Sequence, residues 1–146
     1  MSIQTITQND YLELINIWES SVRATHDFIT EQYIDEIKPL ILEQYFDAVD
    51  LHCLKTTDDK IIGFIGIAES NIEMLFVAPE YFGQGFGKQL TEYAINFQGA
   101  TKVDVNEQNP KALGFYKHLG FQESGRSPID DQGKPFPLIH LVLNKK

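Results

Sequence analysis

Apolar positions recur at helical spacing through the first third of the chain and at strand spacing after residue 50. Tyr11, Leu14, Ile15, Trp18 and Val22 stand three or four apart, which gathers them on one face of a helix. Thr7, followed three positions later by Asp10, resembles a capping box, so a first helix is expected over residues 8–22. A second helical region starts near Thr30, with Tyr33, Ile34 and Ile37 on one side. Pro39 lacks an amide hydrogen and should break or kink it before LILEQYF resumes, giving two short helices.

The runs LHCLKTT, IIGFIGIAE and IEMLFV are separated by Asp58-Asp59 and Ser70-Asn71, the pattern of three antiparallel strands joined by tight turns. Leu90, Tyr93, Ala94 and Phe97 return to helical spacing, and Gly99 can stop that helix. Residues 102–105 read as a short strand. Asn109-Pro110 is a cap followed by a proline at the first helical position, and the helix it opens ends at Gly120. LIHLVLN, residues 138–144, is a last strand after the turn region PIDDQGKPF. No repeat, low-complexity tract or linker interrupts the chain, so residues 1–146 are expected to share one core as one domain.

Composition narrows the function classes. A chain of 146 residues can bury a core without disulfides or structural metal. The net charge of -9 repels a nucleic-acid backbone and mildly favours a cationic substrate. No apolar run is long enough to span a bilayer. MSIQTITQND has neither the basic start nor the apolar stretch of a secretory signal, so the cytoplasm is expected. The single cysteine, Cys53, cannot form an intramolecular disulfide, and in the strand-like LHCLK it reads as a buried inert thiol. His52, His118 and His140 show no ligand spacing, and no metal is expected.

Chemistry concentrates in LFVAPEYFGQGFGKQL, residues 75–90. A strand that enters a helix through Gly83, Gly85 and Gly87 leaves several amides unpaired and converging, backed by the positive end of the helix dipole. That is an anion site for a phosphate or pyrophosphate, with Lys88 adding one charge. A P-loop is excluded because Gln89 follows Gly87-Lys88. The dinucleotide fingerprint matches only in part: the last glycine gap is one residue, though Asp104 lies downstream where an acidic residue belongs. A glycine-rich turn that merely packs a helix closely on a sheet stays open.

NPKALGFYKHLGF, residues 109–121, has the form N-x-x-A-x-x-F-Y-x-x-x-G-F. Together with VAPEYFGQGFG it closely resembles the GNAT superfamily of acetyl-CoA-dependent N-acetyltransferases, most specifically over residues 72–121. WESSVRATHDF, residues 18–28, is similar to the N-terminal segment of a bacterial subgroup of small family members. The resemblance implies an α/β (α+β) fold with a mixed, mostly antiparallel sheet of six to seven strands flanked by about four helices. It implies acetyl-CoA as cosubstrate and a primary amine of a small molecule or peptide as acceptor. Leu75, Phe76 and Val77 would present backbone to the pantetheine arm. Phe82, Gly83, Gln84, Gly85, Phe86, Gly87 and Lys88 would cradle the pyrophosphate. Asn109 would hydrogen-bond the pantetheine, with Ala112 and Phe115 in the same cofactor-binding motif and Tyr116 beside the sulfur. The family usually carries Arg or Gln where this chain has Phe82, which removes one side-chain contact to the cofactor. Pairing of two copies through sheet edges is undetermined.

Direct attack of an amine on a thioester needs an ammonium deprotonated, an oxyanion stabilised and a thiolate protonated. Tyr116, a phenol of pKa ~10, is the expected general acid; at Phe115, Tyr116, Leu119 spacing it also fits a core aromatic. For the base there are two candidates. Glu73 should share a face with Leu75 and Val77 by alternation and relay a proton through water, unless it is simply an exposed strand residue. His26 falls where the N-terminal helices would border an acceptor pocket, unless it is a surface histidine. Trp18 and Phe28 could line that pocket, although Trp18 fits the core stripe of its helix. A second function class stands beside the enzyme: a CoA-binding sensor or interaction module without turnover, motivated by Phe82 and the unassigned base.

Overall fold

A computed structural model describes residues 2–25, 29–130 and 133–143. Among them, seven strands form one sheet: β1 (Ser2–Thr5), β2 (Asp50–Lys55), β3 (Ile61–Ala68), β4 (Asn71–Val77), β5 (Lys102–Asn106), β6 (Phe121–Ser127) and β7 (Leu138–Leu143). Their order is β1-β2-β3-β4-β5-β7-β6, and every neighbouring pair is antiparallel except β4 and β5. Helices α1 (Tyr11–Thr25) and α2 (Glu31–Leu40) cover one face, and α3 (Phe86–Phe97) and α4 (Pro110–His118) the other. This is the mixed, mostly antiparallel architecture the sequence leads one to expect.

Local chemistry explains the helix starts. The Asp10 carboxylate accepts the Thr7 amide at 3.1 Å, and the Thr30 hydroxyl accepts the Tyr33 amide at 3.1 Å. Each satisfies a donor that a helix terminus would otherwise leave unpaired. Pro39 does not divide its region. α2 runs through it to Leu40 and continues as a π-wound turn, Ile41–Tyr45, and a 3-10 turn, Phe46–Ala48. Wider winding just past the proline accommodates the missing amide donor, so one continuous helical run replaces the two short helices expected.

Two cores sandwich the sheet. On the α1–α2 face, Leu14, Trp18, Ile34, Ile37, Phe46 and Phe64 are buried together. Phe64 has no exposed surface, and its ring centroid lies 5.8 Å from that of Phe46 and 5.7 Å from that of Phe76. Cys53 is fully buried in the same core, and burial pushes its thiol up to about 11, as an inert thiol requires. On the other face Ile62, Ile65, Leu90, Ala94, Val103 and Phe121 close the second core. Phe97, expected in the apolar stripe of its helix, is instead exposed beside Tyr93. The buried position goes to Thr91, whose hydroxyl donates to the Gly87 carbonyl at 2.8 Å and so needs no other partner. Among the described residues no helix is long and apolar enough to cross a membrane.

Candidate active site

β4 and β5 run parallel but pair only at Asn71 with Lys102 and Ile72 with Val103. Beyond those two positions β4 continues to Val77 and β5 to Asn106 without a further bridge between them. The facing edges of residues 73–77 and 104–106 therefore border a gap in the middle of the sheet. The cause lies in β4 itself. Gly66 pairs with Met74 and Ile67 with Ile72, which leaves Glu73 as the extra residue of a β-bulge. A bulge bends its strand and increases its twist, and this one sits where β4 departs from β5.

The bulge also resets which side chains share a face. Ile72, Leu75 and Val77 belong to the α3–α4 core, whereas Met74 and Phe76 belong to the α1–α2 core. Glu73 is exposed and lines a shallow cavity of about 470 Å³ with Glu69, Lys102, Asp104 and His140. Val103 and Leu141, which neighbour that last pair along their strands, point into the α3–α4 core, so the cavity opens on the other face. The expectation that alternation would place Glu73 with Leu75 and Val77 is thus corrected. The inserted residue breaks the two-residue period, and Glu73 is not the carboxylate among apolar neighbours that the reading supposed.

At the far end of β4 the chain makes a 3-10 turn, Pro79–Tyr81, with the Phe82 amide donating to the Pro79 carbonyl at 3.1 Å. Gly83 (φ +75°) and Gly85 (φ +84°) then adopt the left-handed conformation that only glycine reaches without strain. Gly85 stands at the N-cap of α3 with no side chain to cap it. The first amide to find a helical acceptor is that of Gln89, 3.0 Å from the Gly85 carbonyl. Among the described residues the amides of residues 83–88 have no hydrogen-bond acceptor. Gly87 differs: its φ is not left-handed, and a Cβ there would meet Cζ of Phe115 on α4 at 3.6 Å, an ordinary contact, so neither conformation nor space demands glycine at this position. Phe82 and Lys88 are exposed, Phe86 packs beside Tyr81, and the side-chain Nε2 of Gln84 donates to the Glu80 carbonyl at 3.4 Å.

On α4, Asn109 Oδ1 accepts the Ala112 amide at 3.2 Å, a helix cap that accounts for Asn-Pro at this position. Ala112 and Phe115 are half-buried against the α3–α4 core. Tyr116 is buried, its ring edge-on to Phe121 at 5.6 Å and to Phe115 at 5.0 Å. Burial raises its phenol well above the ordinary tyrosine value, so it stays protonated throughout the neutral range. Trp18 sits in the α1–α2 core rather than in a pocket. His26 and Phe28 lie outside the described residues.

An open sheet gap leading to uncapped amides at a glycine-rich helix start is one half of the comparison with known proteins; sequence supplies the other. The description "Acetyltransferase (GNAT) domain" matches residues 18–137. The chain belongs to the GNAT acetyltransferase family. It is an acyltransferase. Peptidyl-lysine N-acetyltransferase YjaB of Salmonella typhimurium is 41% identical over 130 residues, 89% of each chain. The solution structure of apo-form YjaB from Escherichia coli matches with a TM-score of 0.89 at 36% identity, covering 99% of this chain and 98% of that one. PaiA N-acetyltransferase from Thermoplasma acidophilum, crystallised with coenzyme A, shares the fold with a TM-score of 0.70 at 21% identity, over 95% of this chain and 96% of that one.

Two further features of this GNAT chain escape the sequence. His140 on β7 stands between Asp104 on β5 and Ser127 on β6: Nδ1 is 2.6 Å from Asp104 Oδ1, and Nε2 is 2.6 Å from Ser127 Oγ. The three residues are far apart in sequence and meet only because β7 inserts between β5 and β6, with Asp104 and Gly125 flanking His140 in register. The one available signal was a polar residue interrupting the apolar runs VDV and IHL. Second, the loop between β6 and β7 reaches α2. Phe136 meets Tyr33 edge-on at 5.2 Å, and Lys134 Nζ pairs with Glu36 at 2.9 Å. Burial pushes the Tyr33 phenol up to about 12. Among the described residues no group of three or more His, Cys, Asp or Glu side chains could hold a metal ion.

Proposed function

We propose that the chain moves the acetyl group of acetyl-CoA to a primary amine, the side-chain amine of a peptidyl lysine or a similar small amine, by direct attack. The observation that carries this reading is the gap between β4 and β5 running up to the unpaired amides of residues 83–88. Those amides and the dipole of α3 suit a diphosphate. They act locally, so the net charge of -9 does not defeat them, and they substitute for the side chain that Phe82 does not provide. Leu75, Phe76 and Val77 pair with β3 on one edge and with no strand on the other, and that open edge suits the amides and carbonyls of a pantetheine arm laid in the gap. Asn109, Ala112 and Phe115 border the arm from α4. The acceptor arrives at the opposite face, where Glu69, Glu73 and Asp104 favour an ammonium. The relatives named peptidyl-lysine N-acetyltransferases point the same way.

Tyr116 supplies the acid. A phenol held above pKa ~10 is a weaker acid than a thiol of pKa ~8.5, so it stabilises the departing sulfur chiefly as a hydrogen-bond donor. No covalent intermediate is needed, in keeping with the buried Cys53. Acetyl transfer to lysine peptides should be measured together with acetyl-CoA binding. Wild-type protein should acetylate, and Tyr116→Phe should lose ~100-fold in kcat while still binding acetyl-CoA. Wild-type protein that neither binds acetyl-CoA nor gains thermal stability from it contradicts the reading; binding without transfer to any amine would return the sensor.

A further inference from the structure

The cavity on the acceptor face carries charges of both signs. Glu69, Glu73 and Asp104 line it, and so does Lys102. A site built only to draw a polycation would gain nothing from a lysine inside it, because like charges at short range repel. Most cations of the described chain are engaged elsewhere. Arg23, Lys38, Lys55, Lys117, Arg126 and Lys134 each form an ion pair with a carboxylate. Lys102 forms none among the described residues, although three carboxylates share its cavity. The Asp104 carboxylate is turned to His140 Nδ1, at 2.6 Å.

The backbone fixes where this lysine stands. Its amide donates to the Ser70 carbonyl at 3.2 Å, and the residue pairs with Asn71 in the closed part of the β4–β5 junction. Asp104, two residues on, stands beside the open part and lines the same cavity. Two strand residues span ~6.6 Å, which is also the spacing of side chains two apart in an extended peptide. One end of the cavity therefore offers carboxylates at the gap, and the other a cation on a flexible four-carbon stem.

We propose that Lys102 selects the acceptor by receiving an acidic group carried within two residues of the amine to be acetylated, while that amine enters the gap beside Glu73 and Asp104. The substrate class is a lysine with an acidic neighbour, not a polyamine or a lysine in a basic stretch. This rests on the acetyltransferase reading above and deepens its acceptor half. Discrimination has two parts: Lys102 attracts an anion on the acceptor and repels a second cation there. The net charge of -9 pulls the other way, but exposed charges beyond ~8 to 10 Å are screened, so the groups inside the cavity decide.

Three lysine peptides test this, alike except that the residues two positions to either side of the lysine are glutamate, glutamine or arginine. Values of kcat/KM should be compared for wild type, Lys102→Gln and Lys102→Glu, with acetyl-CoA binding and thermal unfolding measured on the same samples. Wild type should favour the glutamate peptide over the arginine peptide by ~10-fold at low salt, and the preference should fade as salt is raised. Lys102→Gln should bring the two peptides within about threefold of each other, and Lys102→Glu should favour the arginine peptide. Acetyl-CoA affinity and thermal stability should stay at the wild-type level in both variants. A wild type that treats the peptides alike or prefers arginine overturns the proposal, as does a Lys102→Glu enzyme that keeps the wild-type order. Wild-type protein that binds no acetyl-CoA, or acetylates none of the peptides, strikes the acetyltransferase reading instead.

Discussion

The two ends of the sheet are built on different terms. The meander of β2, β3 and β4 is covered on both faces, and β3 is buried at seven of its eight positions. The wing of β5, β7 and β6 is covered on one face by α4 and largely open on the other, and in β6 only Phe121 is buried. Apolar burial is the main favourable term in folding, so stability resides in the meander. The open wing is free to display Asp104, His140 and Ser127. The parallel junction between the two halves, pulled open at Glu73, is where the proposed acetyl-CoA site lies.

This contrast can be broken, and the largest effect should come from the covered half. Phe64→Ala removes a fully buried ring packed between Phe46 and Phe76, and should cost about 3–5 kcal/mol in urea denaturation. Gly85→Ala tests the junction: a side chain at φ +84° should cost about 1–2 kcal/mol of stability and also weaken acetyl-CoA binding. Cys53 gives a gentler effect, visible only at alkaline pH. Its thiol is raised from 9.0 to about 11 by burial, so the unfolded chain ionises first. The stabilisation is complete below pH 9, declines as pH rises, and is gone once pH passes 11; in Cys53→Ala this part of the slope should disappear. Smallest of all, Arg126→Gln in the wing breaks only an exposed ion pair with Glu107 and should change stability by less than about 1 kcal/mol. A large loss from Arg126→Gln, or a small one from Phe64→Ala, would erase the distinction between the halves.

What could be read in advance follows the same division. The meander, α1, α3 and α4 announce themselves because buried faces impose a period, and Gly83 and Gly85 because their backbone excludes other residues. β1 and β6 carry almost no period, since edge strands bury little: the pattern of Phe121–Ser127 has one buried position. Pro39 misleads because the helix rewinds around it rather than ending. The side of the sheet on which Glu73 lies depends on a single bulge opposite Gly66 and Ile67, which no residue pattern within β4 reveals. The contacts of His140 depend on strand order across non-consecutive strands. Local chemistry is therefore legible in the sequence, whereas chemistry assembled by register is not.

The central claim is that amides freed at the start of α3 hold the diphosphate of acetyl-CoA and direct its thioester through the gap toward Tyr116. Titrating 15N-labelled protein with coenzyme A while following backbone amide resonances tests it directly. The largest shifts should fall on residues 83–88, with smaller ones on 73–77 and 104–106. Saturable binding that leaves 83–88 unmoved, or no binding at all, would contradict the claim.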